Sequence, residues 1–450
     1  MRLIRLLGVA ILLAQSASLL AQTKTLTLDQ ARQIALERNI SVAQAQNNVE
    51  AAQSGVLAAY GSYLPTLSAN AGWTRSQNER PGNEPVYVNG IPVVAGTSGR
   101  TVASQYSAGL SANYLLFDGL SREGEFTRAS STSVAAEQTS ARTRQSVVFQ
   151  VESGYLNVLR NEQLVKVNEE NLRRDRQQLD RITESNRVGA LSIADVYRQQ
   201  SQVAVDELNV ITAQANYDKA KADLLSLIGL DVYENYVVAD TTISSEVSKE
   251  EMDSTIARYK NIADLNQRAI AARPDYLSAT EQLNASQAGI RVARSGYFPS
   301  ISAFAGYGVA SPQLETVTRY RNLNWGLQLR WNLFDSFRTN EQLQSAQATQ
   351  RNAEISLVQA ERNINVEVKK ALLDLDAARK QYDVTQKGLV SATEDRKIAE
   401  ERYNLGAGTL LDLMVANANL VNAQANKVNA SYNYITAKRN VEYSLGEKSY

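Results

Sequence analysis

Two short stretches hold the residues best able to do chemistry. They read R-V-G-A-L-S-I-A-D over 187–195 and Y-N-L-G-A-G-T-L-L-D over 403–412. In each, a glycine (Gly189 or Gly406) stands three positions before a hydroxyl residue, and an aspartate stands three positions after it. Glycine suits the left-handed residue that ends a helix. The pairs Ser192 with Asp195 and Thr409 with Asp412 then resemble a capping box at the start of the next helix, although glutamate is the usual partner there. One reading of the two aspartates is therefore architectural, because the helix dipole and its orphan amides favour them. The other is electrostatic, because an exposed carboxylate attracts cations.

Little else in the chain could catalyse a reaction. It has no cysteine, which removes disulfides, thiol nucleophiles and zinc–thiolate sites, and excludes an acyl anchor on an N-terminal cysteine. It has no histidine, which removes the commonest general base and metal ligand. The Gly-x-Gly at Gly406 to Gly408 does not follow a strand, as a phosphate loop would require. Acid pairs such as Glu169-Glu170 and Glu250-Glu251 lie in solvated helical charge patterns. Lys plus Arg equals Asp plus Glu at 47 each, so no bulk charge points to nucleic acid. The expectation is a protein that is not an enzyme and has no metal or other cofactor.

The N-terminus reads as an export address. Two positive charges lie within Met1 to Arg5, Leu6 to Leu13 is apolar, and small residues lead to a cleavage point after Ala21. Residues 1–21 thus have the form of a signal peptide. No later apolar run approaches the roughly 20 residues of a spanning helix. An exported chain of this kind enters a membrane only as a β-barrel.

The elements that must position the two turns are written twice. Leu116-Phe117-Asp118 returns as Leu333-Phe334-Asp335, 217 positions later. The same shift carries Gly189-Ala190 onto Gly406-Ala407 and Asp195 onto Asp412. Upstream, Tyr63-Leu64-Pro65 returns as Tyr297-Phe298-Pro299 at a shift of 234, so the first copy holds 17 extra residues. They fall in the Gly/Pro/Asn-rich stretch 78–100, which reads as an enlarged loop.

The organisation that follows is a leader over 1–21, a first repeat over 22–230, a linker over 231–261 and a second repeat over 262–450. The first repeat holds a helix, a β-hairpin over about 64–117, a long helix over 121–187, the turn, and a helix over 192–228. The second holds a helix, a β-hairpin over about 299–334, a long helix over 338–404, the turn, and a helix over 409–446. Ser121 to Arg187 contains no proline, and Val147, Val151, Tyr155, Val158 and Leu159 recur at helical spacing. At ~1.5 Å per residue such helices run about 100 Å and must pack side by side, coiled-coil fashion.

The strands alternate with period two. Tyr106, Ala108, Leu110, Ala112, Tyr114 and Leu116 are interleaved with Ser107, Gly109, Ser111 and Asn113. Trp325, Leu327, Leu329, Trp331 and Leu333 are interleaved with Gly326, Gln328, Arg330 and Asn332. Alternation over about ten residues with aromatics near the ends is the pattern of a transmembrane β-strand. A half-buried soluble sheet is the plain alternative for one such strand, but four of them leave no globular domain to cover them. Four strands cannot close a barrel, so the fold class is a mixed α+β membrane protein completed by further copies of itself. Two, three or four copies are open on this argument, and a wet lumen lined by Ser, Gly, Asn and Gln favours three or more.

Over nearly the whole mature chain these features resemble the TolC-type outer-membrane efflux factors. The likeness rests on the Leu-Pro-x-Leu and Phe-Pro-x-Ile strand starts, the Leu-Phe-Asp strand ends, the two turns, and the tail N-Y-I-T-A-K-R-N-V-E-Y-S-L-G over 433–446. It implies a homotrimer with a twelve-stranded barrel in the outer-membrane lipid and a helical tunnel in the periplasm, with the linker in an equatorial collar. The implied function is the passive exit duct of a tripartite efflux or type I secretion system. An inner-membrane pump of RND, ABC or MFS type and a periplasmic adaptor protein would be its partners. Asp412 would ring the entrance, and Asp195 would accept a hydrogen bond from Tyr403 that helps hold it shut. The turn residues Val188, Gly189, Ala190, Leu191 and Ser192, with Leu405, Gly406, Ala407, Gly408, Thr409 and Leu410, would dock the adaptor. Two positions depart from relatives: Val415 stands where some carry a second acid, and Gly408 where some carry a tethering arginine. A structural coiled coil or adhesin is the rival reading. It accounts for the helices but not for two hairpins of lipid-type alternation.

Overall fold

The computed structural model of the chain describes residues 24–80, 86–94, 99–240 and 246–447. The leader expected over 1–21 lies outside the described residues, as do parts of the loop over 78–100 and the last three positions of the second repeat. The strands are β1 (Lys24–Leu26), β2 (Thr66–Arg80), β3 (Val86–Val88), β4 (Ile91–Val94), β5 (Gly99–Phe117), β6 (Tyr236–Val238), β7 (Ser300–Ser311) and β8 (Arg321–Arg330). The α-helices are α1 (Leu28–Arg38), α2 (Ile40–Gly61), α3 (Ser121–Arg187), α4 (Ile193–Ile228), α5 (Lys249–Arg258), α6 (Ile262–Ala272), α7 (Pro274–Ser295), α8 (Arg338–Asn404) and α9 (Leu410–Leu445). Among the described residues no helix is long and apolar enough to cross a membrane.

The chain divides into two compact units, each drawing on both halves of the sequence. One comprises positions 50–135 and 280–356, and the other the positions before 50, 136–279 and those from 357 on.

The first unit holds an antiparallel sheet in the order β2-β5-β7-β8. Its register places Leu67 beside Ala112, Ala112 beside Ala305, and Ala305 beside Trp325. The next row on that face runs Ala69, Leu110, Tyr307, Leu323. The opposite face carries the rows Ser68, Ser111, Gly306, Asn324 and Asn70, Gly109, Gly308, Asn322. Residues directly opposite one another in antiparallel strands share a face, so the alternation in each strand becomes one apolar and one polar surface. The apolar surface is bare: Leu67 is 81% exposed and Trp325 78%. On the polar side the Ser68 and Ser111 hydroxyls are 2.7 Å apart. Strands β2 and β8 are the sheet's outer edges.

Three details differ from the expected hairpins. Strand β8 stops at Arg330 rather than continuing to 334, because its partner β7 begins at Ser300, opposite Arg330, after Pro299. Trp331 leaves the ladder and its indole N–H donates to the Tyr297 carbonyl at 3.2 Å. The enlarged loop contains a small ribbon, β3 with β4, turned at Asn89-Gly90. Both residues have positive φ (53° and 78°), as a two-residue turn joining twisted strands requires. The Leu-Phe-Asp aspartates turn out to be helix caps. Asp118 accepts from the Ser121 and Arg122 amides, and Asp335 from the Thr339 amide at 2.8 Å.

The other unit holds two apolar cores. One packs Leu28, Ala31 and Ala35 of α1 against Val151, Tyr155 and Val158 of α3 and Leu224, Leu225 and Ile228 of α4. The Tyr155 hydroxyl donates to the Leu26 carbonyl at 2.9 Å, beneath a short parallel ladder of β1 with β6. The other joins Met252, Tyr259 and Leu265 to Ile364, Val368, Ala371 and Leu375 of α8 and Tyr434, Val441 and Leu445 of α9. Between α7 and α9 lies Arg273, only 2% exposed. It donates to both oxygens of Asp275, to Glu367 at 2.6 Å and to the Ser444 carbonyl at 3.2 Å.

Candidate functional site

Both helical turns end their long helix in the same way. After α3, the Ala190 amide donates to the Ser185 carbonyl and the Gly189 amide to the Asn186 carbonyl, each at 2.9 Å. After α8, the Ala407 amide donates to the Arg402 carbonyl at 2.8 Å and the Gly406 amide to the Tyr403 carbonyl at 3.0 Å. This is the Schellman pattern, and it needs a left-handed residue in the glycine's place. Gly189 has φ 78° and Gly406 has φ 73°. A methyl on either would meet nothing within 4 Å, so the demand for glycine is one of backbone alone.

The restarts differ. Thr409 and Asp412 form a reciprocal capping box: Asp412 N donates to Thr409 Oγ1 at 3.1 Å, and Thr409 N donates to Asp412 Oδ2 at 3.0 Å. The Thr409 backbone and side-chain hydrogen bonds, with Arg402 nearby, hold the exposed Asp412 carboxyl below its ordinary pKa. At the other turn Ser192 caps α4 by accepting from the Ala194 amide at 3.1 Å. Asp195 does not complete the box. Its carboxylate pairs with Arg198, one turn along, at 2.8 Å.

The hydrogen bond expected from Tyr403 to Asp195 is not made; Asp195 Oδ1 instead accepts from Arg198. The Tyr403 hydroxyl is buried beside Gln178 and makes no hydrogen bond of good geometry. Burial and the neighbouring Asp195 charge push its pKa up, while Arg181 works against them. The structure thus brings the two residues into one neighbourhood without joining them. Leu410 also departs from expectation: it opens α9 with its side chain turned inward, only 5% exposed, so it offers no docking surface. The bare apolar side chains at the turns are Val188 and Ile193 on one, Leu405 and Leu411 on the other. Arg198 and Arg402 were not singled out in the sequence. Arg402 donates to the Ala407 carbonyl at 3.3 Å, and a methyl on Gly408 would come within 3.2 Å of the Arg402 Cβ. An arginine three residues from a helix-capping acid is the signal that could have marked Arg198; Arg402, ten residues before Asp412, carries no such signal.

Behind the turns the four helices α3, α4, α8 and α9 meet on polar residues. A cleft of about 430 Å³ is lined by Arg174, Asp180, Arg181, Arg396, Glu400 and Asn417, among others. Among the described residues no group of His, Cys, Asp or Glu is placed to hold a metal ion.

Comparison with known proteins extends over most of the chain. The sequence pattern of the family described as "Outer membrane efflux protein" matches residues 31–230 and 265–447. The probable efflux pump outer membrane protein TtgC of Pseudomonas putida is 27% identical over 401 residues, covering 87% of this chain and 77% of that one. The outer membrane protein TolC of Escherichia coli is 25% identical over 396 residues, covering 85% and 74%. In fold, the chain is similar to the Campylobacter jejuni CmeC outer membrane channel, with a TM-score of 0.75 and 21% identity over 93% of this chain and 85% of that one.

Proposed function

Because the chain belongs to the outer membrane efflux protein family, we propose that it is the passive outer-membrane exit duct of a tripartite efflux or type I secretion system. The observation that carries this reading is the four-stranded sheet, with its bare apolar face and its face of Ser, Asn and Gly. In lipid the outer edges of β2 and β8 would leave backbone groups unpaired, at several kcal/mol each. Pairing β8 of one copy with β2 of the next satisfies them, and three copies give a twelve-stranded barrel wide enough for a wet lumen. Helices α3 and α8, at 67 residues each, and α4 and α9, at 36 each, are then the two repeats of a tunnel wall. The tunnel extends into the periplasm, where the two turns form its entrance.

Partner proteins open that entrance. The exposed Val188, Ile193, Leu405 and Leu411 fit a periplasmic adaptor, which links the duct to an inner-membrane pump of RND, ABC or MFS type. Asp412 from three copies forms the acidic ring. Tyr403 bonds Asp195 in the shut state when Arg198 gives up the carboxylate. A structural coiled coil or adhesin would leave the apolar sheet face without a use.

Deleting the gene tests the reading in cells. The duct predicts that a fluorescent efflux dye accumulates and that restoring the chain clears it. Unchanged dye levels with lost surface adhesion would select the adhesin.

A further inference from the structure

Two carboxylates are buried against each other without a direct ion-pair partner among the described residues. Asp175 of α3 is 3% exposed and Asp206 of α4 is 2% exposed. Among the described residues neither has an ion-pair partner within 4.0 Å. Asp206 Oδ1 accepts from the Gln202 amide at 3.1 Å, and Asn171 lies close by. Asp206 Oδ2 makes no hydrogen bond of good geometry, and the Asp175 carboxyl, which as a carboxylate can only accept, lies within hydrogen-bonding reach of the Asp206 carboxyl, as does the Asn171 amide. Asp175 Oδ1 in turn accepts from the Asn417 amide of α9 at 3.3 Å. Asn417 Oδ1 accepts from Arg396 of α8 at 3.0 Å, and Arg396 pairs with Glu400 at 2.9 Å. The Gln199 amide of α4 donates to the Asp175 backbone carbonyl at 3.2 Å. Arg174 of α3 feels the Asp175 charge without pairing to it, and is itself crowded by Arg396.

Two buried carboxylates facing each other cannot both be ionised without strong repulsion, and the arrangement is relieved by one proton between them. We propose that Asp206 carries a proton that it donates to the Asp175 carboxylate, and that this proton holds α4 against α3 and, through Asn417 and Arg396, ties the α3–α4 hairpin to the α8–α9 hairpin behind the entrance. Asp175, Asp206, Arg396 and Asn417 all lie in the same unit of the fold, about three to five helical turns from the two glycines. Loss of the proton leaves two charges in the seam, and the helices separate so that water can reach them. The duct thereby has a proton-sensitive clasp that biases it shut.

The sign follows from the direction of the shift. Burial, with Asp175 adding to it, pushes the Asp206 pKa up from 3.8 to about 7. A group whose pKa is raised in the packed state stabilises that packing at low pH, and the contribution is lost as pH rises through the raised value. Acid favours the tied state, and alkali favours the loosened one.

This regulation rests on the duct reading, so the test has two separate arms. The first is an infrared titration of the unaltered assembly between about pH 5 and pH 9. The proposal expects a protonated-carboxyl C=O band that persists well above the ordinary carboxylate range, disappears near neutrality, and is missing in Asp206→Asn and shifted in Asp175→Asn. If no such band titrates near neutrality in the unaltered protein, this proton does not exist. The second arm is resting conductance in planar bilayers over the same range. It should rise severalfold with pH in the unaltered protein and stay low and flat in Asp206→Asn, whose amide donates permanently where the proton would sit. A band that behaves as expected alongside a flat wild-type conductance would overturn the clasp while leaving the duct in place. Absence of conductance at every pH would contradict the duct, and the infrared arm would still decide the proton.

Discussion

Thr409 and Asp412 hold each other across the start of α9, each accepting the other's backbone amide, at 3.1 and 3.0 Å respectively. The box engages Asp412 Oδ2 and leaves the side chain at the surface, so capping and a role at the entrance are compatible. Asp412→Asn should abolish block of the duct by multivalent cations, because three carboxylates at one constriction attract them by simple Coulomb forces. Block measured on single channels is the check, and unchanged block removes Asp412 from the constriction. The lowered pKa also sets the pH dependence. A carboxyl held below its ordinary value keeps its charge as pH falls, so block should persist down to the ordinary 3.8 and fade only beneath it.

The Asp195 carboxylate is paired with Arg198 and lies near the Tyr403 hydroxyl. Freeing Asp195 with Arg198→Ala should let Tyr403 bond to it and lower the resting conductance. In a Tyr403→Phe background the same substitution should change nothing. Tyr403→Phe alone should change thermal stability by no more than about 1 kcal/mol, since the buried hydroxyl it removes has only Gln178 beside it and makes no bond of good geometry. Equal effects of Arg198→Ala in the two backgrounds would dismiss the latch.

The turn glycines separate folding from docking. Gly406→Ala forces an L side chain into the left-handed region and should cost about 1–2 kcal/mol in thermal unfolding. Gly406→Asn should cost less, because asparagine tolerates that conformation and there is open space around the Cβ. If Gly406→Asn assembles normally and adaptor binding by crosslinking still falls, the turn surface itself is the docking site. Unaltered crosslinking would place docking elsewhere.

Arg273 should matter for stability alone. Burial works to raise the Asp275 pKa, but the Arg273 hydrogen bonds and charge outweigh it and hold the carboxyl below its ordinary range. Arg273→Met removes the closer of the two cations shared by Asp275 and Glu367, leaving Arg142 at 3.8 and 4.0 Å, and should cost about 1–3 kcal/mol at neutral pH. The effect should shrink as pH falls below the ordinary carboxyl value of 3.8, where the pair loses its charge in the unaltered protein too. Chemical denaturation at two pH values measures it, and a pH-independent deficit would mean that packing rather than charge is at stake.

How legible each feature was in the sequence depended on whether its cause was local. The proline-free run from Ser121 to Arg187 and the glycines at 189 and 406 are signals carried within one stretch of chain. So is the turn at Asn89-Gly90, a dipeptide suited to positive φ at both positions. The end of β8 at Arg330 depended on where β7 begins, which alternation within β8 cannot reveal. The Arg198 contact depended on which of two neighbours a carboxylate selects. Asp175 and Asp206 are the least legible, because in sequence each resembles an ordinary solvated helix charge. The available clue was phase: Gln199, Val203, Asp206 and Ala213 share one face of α4, and that face is buried. A charge in the apolar phase of a coiled coil is the pattern to look for.

Single-channel recording of the purified, full-length protein added to one side of a planar bilayer tests the central claim most directly. The account predicts discrete, long-lived, cation-selective steps of small conductance, as expected of a closed barrel ending in an acidic constriction. Detergent-stable oligomers that insert and give no discrete steps, or that give wide and unselective ones, would contradict it.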